Sequence, residues 1–176
     1  TEMRVMRYYE TGPSSVMHIE TAPKPTPKPG EVVVQVAAAG VSPVDVLLRQ
    51  GAQGAVAPTF PVIPGHDISG RVVATGAGVN PALLAKDVFG LISSRGGGYA
   101  EYVAVSADLV VPKPPRLSYA QAAAVPLAAL TAYQALFVEG KLTAGQRILI
   151  HGGSGEVGHM AVQLAKHAGA HVIATT

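Results

Sequence analysis

RILIHGGSGEVGHMAVQLAKHAGAHVIATT, residues 147–176, governs the architecture of this chain. Residues 147–151 are a short apolar run with two isoleucines that Gly152 ends, as a buried strand would read. Gly153, Gly155 and Gly158 then satisfy G-x-G-x-x-G, with Gly152 just ahead of them. Val157, Ala161, Leu164, Ala165 and Ala168 follow at helical spacing on one face, with Gln163, Lys166 and His167 off it. Gly169 stands where a helix stops, and residues 171–176 read as a second strand. Strand, glycine loop, helix, strand is the setting in which this glycine pattern carries weight.

In that setting the first glycine allows a tight turn and the second lets a diphosphate approach the backbone with no Cβ in the way. The third lets the helix pack closely on the strand. Phosphates then meet unpaired N–H groups at the positive end of the helix. The expectation is dinucleotide binding by Gly152, Gly153, Ser154, Gly155, Glu156, Val157 and Gly158; glycines kept for packing alone are the alternative. Two features pull the other way. The Glu156 carboxylate suits the helix dipole but repels a phosphate unless it points outward. The residue that reads the ribose belongs just past the second strand, where this sequence stops, so NAD and NADP are not separated by it.

Composition narrows the classes. The 176 residues are 48% hydrophobic and 14% charged, enough to bury a core and too apolar for disorder. A net charge of +2, with no basic cluster or aromatic-interleaved patch, gives no footprint for nucleic acid. There is no cysteine, hence no disulfide framework and no thiolate chemistry, which fits a reducing compartment. The most apolar stretch, residues 120–138, is interrupted by Pro126, Thr131 and Gln134 and reads as buried helix. A soluble, cytoplasmic protein is expected, with no membrane partner.

Ahead of the glycine loop, residues 3–9 and 16–21 read as strands joined by the turn Thr11-Gly12-Pro13. APKPTPKPG, residues 22–30, has four alternating prolines and runs extended. A long strand follows at 31–41, then a short helix from Val44 with Leu47 and Leu48 on the same face as Val44, ending at Gly51. The uncharged small-residue loop 51–61 is of a kind that often borders a site. Further strands are expected at 68–74, 87–92 and 99–105, so the first 115 residues read as a small β barrel or β-rich domain. Ser118 with Gln121 three residues on forms a capping box, starting a helix that breaks at Pro126 and resumes to about Glu139.

In this order the pieces resemble the medium-chain dehydrogenase/reductase superfamily, and within it the zinc-free quinone oxidoreductase branch. The resemblance runs through PKPGEVVVQVAAAGVSPVDVLLRQG (27–51), PGHDISGRVVATGAGV (64–79), GGYAEYVAV (97–105), AAAVPLAALTAYQAL (122–136) and the terminal glycine-loop unit. It implies a mixed α/β fold: a GroES-like β-rich barrel domain over residues 1–126, then the first βαβ unit of a Rossmann domain over 127–176. It also implies a cofactor between the two domains, and a chain that is roughly the N-terminal half of such an enzyme, whose full-length form is a homodimer.

The resemblance carries residues over one at a time. Zinc-type relatives have a cysteine after the Ala-Gly-Val turn, where this chain has Ser42, and a Gly-His-Glu motif, here Gly65-His66-Asp67. Catalytic zinc takes three protein ligands, and one histidine beside an aspartate is short of that, so no metal is expected and His66 is read as a hydrogen-bonded strand-end residue. Ser42 and Thr131 match family positions facing the nicotinamide, with a threonine bonded to its own helix as the alternative for Thr131. Asp45 reads as capping or bracing the helix after Ser42. The loop 51–61 has no tyrosine, so no general acid is named. The implied activity is hydride transfer from NADPH, with NAD possible, to a quinone or other electron-poor enone. Rival expectations are a nucleotide-binding or regulatory protein without turnover, and a zinc-type alcohol dehydrogenase relative.

Overall fold

The computed structural model describes residues 1–51, 58–92 and 96–176, as two compact units, Thr1–Ala124 and Val125–Thr176. Most of the loop singled out above, residues 52–57, lies outside the described residues.

The first unit is built on short antiparallel strands. β1 (Glu2–Arg7) and β2 (His18–Pro23) form an antiparallel pair of their own. The main sheet comprises β3 (Glu31–Ala39), β4 (Asp67–Thr75), β5 (Asp87–Leu91), β6 (Tyr102–Ser106) and β7 (Val111–Pro112). It is antiparallel, in the order β6-β3-β4-β5-β7. β5 and β6 bury every second residue, as strands with one solvated face do. Val32, Val34, Ile68, Val72, Val88, Ile92, Val103, Val105 and Val110 make the core. Each buried valine contributes about 1.5–2 kcal/mol before chain entropy is counted. Val33, on the other side of β3, is also buried, and α2 (Tyr119–Ala123) packs on β3, β4 and β5 with Ala122 and Ala123 inward.

The expected barrel is corrected by this topology: among the described residues no sheet closes. The two edge strands, β6 and β7, do not pair with each other. β7 is two residues long because Pro112 has no N–H to donate, and Pro114 and Pro115 follow it. On the β6 side, β1 makes only the isolated bridge Val5↔Ala100 just ahead of that strand, and Tyr8↔Val62 is a second such bridge. The fold is mixed α/β with an open sheet.

α1 (Pro43–Arg49) also departs from expectation. Of the apolar residues expected on one face, Val44 and Leu48 are half-buried and Leu47 is exposed, while Asp45 and Arg49 are the fully buried ones. Polar partners hold this helix in place: Arg49 donates to the Gly12 carbonyl, and Asp45 gathers the contacts described below.

In the second unit, α3 (Pro126–Tyr133) starts at its proline and runs on into a π-helical turn, Gln134–Glu139. β8 (Arg147–Ile150) and β9 (His171–Ala174) pair in parallel with Ile148 opposite Val172 and Leu149 opposite Ile173. α4 (Glu156–His167) joins them. Ala161 and Ala165 bring α4 close to Ile150, with Ala132, Leu136 and Ala170 completing that core. α4 ends in a Schellman turn: Gly169 at φ +81 donates to the Lys166 carbonyl, and Ala170 donates to that of Ala165. Among the described residues no helix is long and apolar enough to cross a membrane.

Candidate functional site

The glycine loop connects the carboxyl end of β8 to the amino end of α4. Gly152 has φ +69 and so makes the tight turn, one residue before the glycine expected to make it. Gly153 donates to the Thr175 carbonyl at 2.6 Å, and a Cβ on it would lie 2.8 Å from that of Ala174. Gly155 caps α4 with an ordinary φ of −75°, and its would-be Cβ meets only the Gly152 oxygen, at 3.3 Å. Gly158 has no such room: a Cβ there would lie 2.0 Å from the same oxygen. The loop is therefore pressed onto the first turn of the helix through Gly158 and left open beside Gly155.

The first N–H groups of α4, on Glu156, Val157 and Gly158, precede the first intrahelical bond, from His159 to the Gly155 carbonyl. Together with the dipole they are suited to an anion. Ser154, Glu156 and Val157 are exposed around them. Thr175 steadies the loop from β9: its Oγ1 accepts from the Gly152 N–H at 3.3 Å and lies 3.3 Å from His151 Nδ1. A hollow of about 490 Å³ lined by Arg147, Lys166 and His171 lies at the other ends of these strands, so it is no part of this loop. Thr131 is exposed on α3, and its hydroxyl donates to the Leu127 carbonyl at 2.7 Å, the helix-bonded arrangement weighed above. The oxygen keeps its acceptor capacity.

The first unit holds a second constellation, centred on Asp45. Asp45 Oδ1 accepts from the Gly65 N–H at 3.0 Å and lies 2.8 Å from His66 Nδ1. Its Oδ2 accepts from the Ser42 N–H at 3.0 Å, the Tyr99 hydroxyl at 3.2 Å and the Ser42 hydroxyl at 3.4 Å. Ser42, Asp45 and His66 are buried. An ionised carboxylate only accepts, so His66 Nδ1 carries its proton here. Burial alone pushes the Asp45 carboxyl up, but hydrogen bonds from His66, Ser42 and Gly65 outweigh it and hold the pKa below the ordinary value. Burial, then the Asp45 charge, pushes the Tyr99 phenol well up, so Tyr99 stays a donor.

The structure thus brings Ser42 together with Asp45, Gly65, His66 and Tyr99, and brings the residues from Gly152 to Gly158 together in the other unit. Among the described residues no three of His, Cys, Asp and Glu converge as metal ligands. The sequence reading of this region missed Tyr99 and the Gly65 N–H. The Ser42-x-x-Asp45 spacing was the available signal for the bond at the helix start; nothing local announces Tyr99, 54 residues away.

Comparison with known proteins gives consistent neighbours. The model of the alcohol dehydrogenase GroES-like domain matches residues 28–115. A chloroplastic quinone-oxidoreductase homolog of Spinacia oleracea is 42% identical over 98% of this chain and 55% of its own length. The 2-methylene-furan-3-one reductase of Solanum lycopersicum is 38% identical over 100% of this chain and 47% of its own. Among solved structures, the quinone oxidoreductase from Coxiella burnetii superposes with a TM-score of 0.91 at 35% identity, covering 100% of this chain and 57% of that one. The chain spans about half the length of the curated relatives it matches.

Proposed function

Because the chain belongs to the quinone oxidoreductase branch of the medium-chain dehydrogenase/reductase superfamily, we propose that its protein reduces a quinone or other electron-poor enone with NADPH, without a metal. The single observation that carries the dinucleotide half is the glycine loop, closed by Gly158 and open beside Gly155 at the amino end of α4. Residues 127–176 form the dinucleotide-binding part of this reading, and residues 1–126 the part that meets the acceptor.

NADPH, when bound, supplies the hydride. The chain's own residues bind and orient. The N–H groups at the start of α4 take the diphosphate, and Thr131 and Ser42 take the nicotinamide end. The choice of NADPH over NADH follows the relatives, among them an NADPH-dependent alkenal/one oxidoreductase of Arabidopsis thaliana. In this reading the acceptor is not polarised by a metal: Ser42 stands where zinc-type relatives have a cysteine, and among the described residues no three of His, Cys, Asp and Glu converge as ligands. A quinone suits such a site: its reduced anion is resonance-stabilised and takes its proton from water, so positioning does most of the work.

The test is loss of NADPH absorbance on adding a benzoquinone, a naphthoquinone and an alkyl enone to the protein as its source expresses it. Turnover with at least one acceptor, faster with NADPH than with NADH, is expected. NADPH binding without turnover would replace this reading with a nucleotide-binding protein.

A further inference from the structure

We infer that Asp45 is a positioning residue for hydride transfer and that it acts through Ser42, an inference that rests on the reductase reading above. A brace needs only to satisfy a buried carboxylate, and Gly65, His66 and Tyr99 already supply three donors for that. Asp45 goes further and takes both the backbone N–H and the hydroxyl of Ser42 on one oxygen, Oδ2. Ser42 is thereby fixed in place and in direction.

Direction matters to chemistry. A serine hydroxyl has one hydrogen and two lone pairs. With the hydrogen turned to Asp45 Oδ2 at 3.4 Å and the oxygen facing the Asp45 N–H in the capping box, the remaining acceptor capacity is what is left for whatever docks against Ser42. Ser42 therefore presents an acceptor, fit for an amide N–H or a ribose hydroxyl of the nicotinamide half, and does not give a proton to the reduced acceptor. The Tyr99 hydroxyl, committed to the same oxygen, helps keep Oδ2 facing Ser42. Removing the Asp45 charge leaves the Ser42 hydroxyl free to rotate and to offer its hydrogen outward. A reactant held by Ser42 then loses its alignment, and an error of about 1 Å in such a site costs on the order of a hundredfold in rate.

The experiment is a double-mutant cycle on the protein as its source expresses it, with single-turnover hydride transfer to a quinone and NADPH affinity read separately. Asp45→Asn keeps the volume and replaces an acceptor oxygen by a donor. It is expected to slow hydride transfer by about 10- to 100-fold while NADPH affinity moves by less than about threefold. In a Ser42→Ala background the same change should slow it by less than about threefold, because the group it acts through is gone. Where Asp45→Asn fails to fold, Tyr99→Phe is the milder variant. It removes one donor to Oδ2, and the same loss of effect in the Ser42→Ala background is expected at a smaller amplitude.

Equal slowing in both backgrounds would overturn the inference, since Asp45 would then act on the fold or by another route. So would a Ser42→Ala protein as fast as the wild type. Both outcomes leave the reductase reading standing. A wild-type protein with no turnover on any acceptor overturns that reading, and the role of Asp45 with it.

Discussion

Alanine at Gly158 tests the packing of the glycine loop directly. Its Cβ would lie 2.0 Å from the Gly152 oxygen, 2.8 Å from the Gly152 carbonyl carbon and 3.0 Å from the Gly153 Cα, so the loop must retreat by about 1 Å or more. Such overpacking costs about 1–3 kcal/mol. Alanine returns about 1 kcal/mol in the helix, where glycine is a poor former. A net loss of up to about 2 kcal/mol follows, lowering Tm by up to a few degrees. The effect on the dinucleotide is larger, because the retreat moves the N–H groups meant for the diphosphate; NADPH affinity should fall about 10- to 100-fold. Gly155→Ala is the contrast. Its backbone is ordinary and its new Cβ meets one atom at 3.3 Å, so stability should change by less than about 0.5 kcal/mol. NADPH affinity should still fall, since the methyl stands where the diphosphate approaches. Thermal unfolding by circular dichroism and NADPH fluorescence titration read the two quantities. A Gly158→Ala protein matching wild type in both would refute the packing argument, and equal destabilisation by the two alanines would refute the division between them.

Thr131→Val should leave Tm within about 1 °C, because an exposed threonine bonded to its own helix contributes little, yet raise the KM for NADPH several-fold; an unchanged KM removes Thr131 from the site. The first unit should weaken in acid through Asp45. Its folded pKa lies below the unfolded value of about 3.9, so its contribution is full above that value and is lost as pH falls through the folded pKa. Tm followed from pH 6 to pH 2 should drop more steeply in the wild type than in Asp45→Asn, and parallel curves would count against the assignment.

The terminal unit was legible because its signals are local. Glycines, the apolar stripe of α4 and the stop at Gly169 all lie within thirty residues, and each acts on its neighbours. The capping box of Ser118 and Gln121 is local too, and both of its bonds form. The barrel was not legible, because closure is decided by whether two distant edge strands meet, and short strands with glycine and proline between them read alike in an open sheet. α1 misled for a related reason. Its inward face is chosen by the Gly12 carbonyl, the Gly65 N–H, His66 and Tyr99, all from other segments, and helical periodicity of the apolar residues says nothing of them. Ser42 could be placed from the resemblance, but the direction of its hydroxyl follows only from a carboxylate seen in three dimensions.

Asp45 also serves as a crosslink in a chain with no cysteine. Its bonds tie residues 20 to 54 positions apart, spans over which a disulfide restrains the unfolded chain by about 3–4 kcal/mol. A carboxylate makes its ties only in the folded state and leaves the unfolded chain unrestrained. Its strength is set by protonation and not by redox state. Thiol reductants therefore leave this unit as stable as before, while acid unties three segments at a single atom pair.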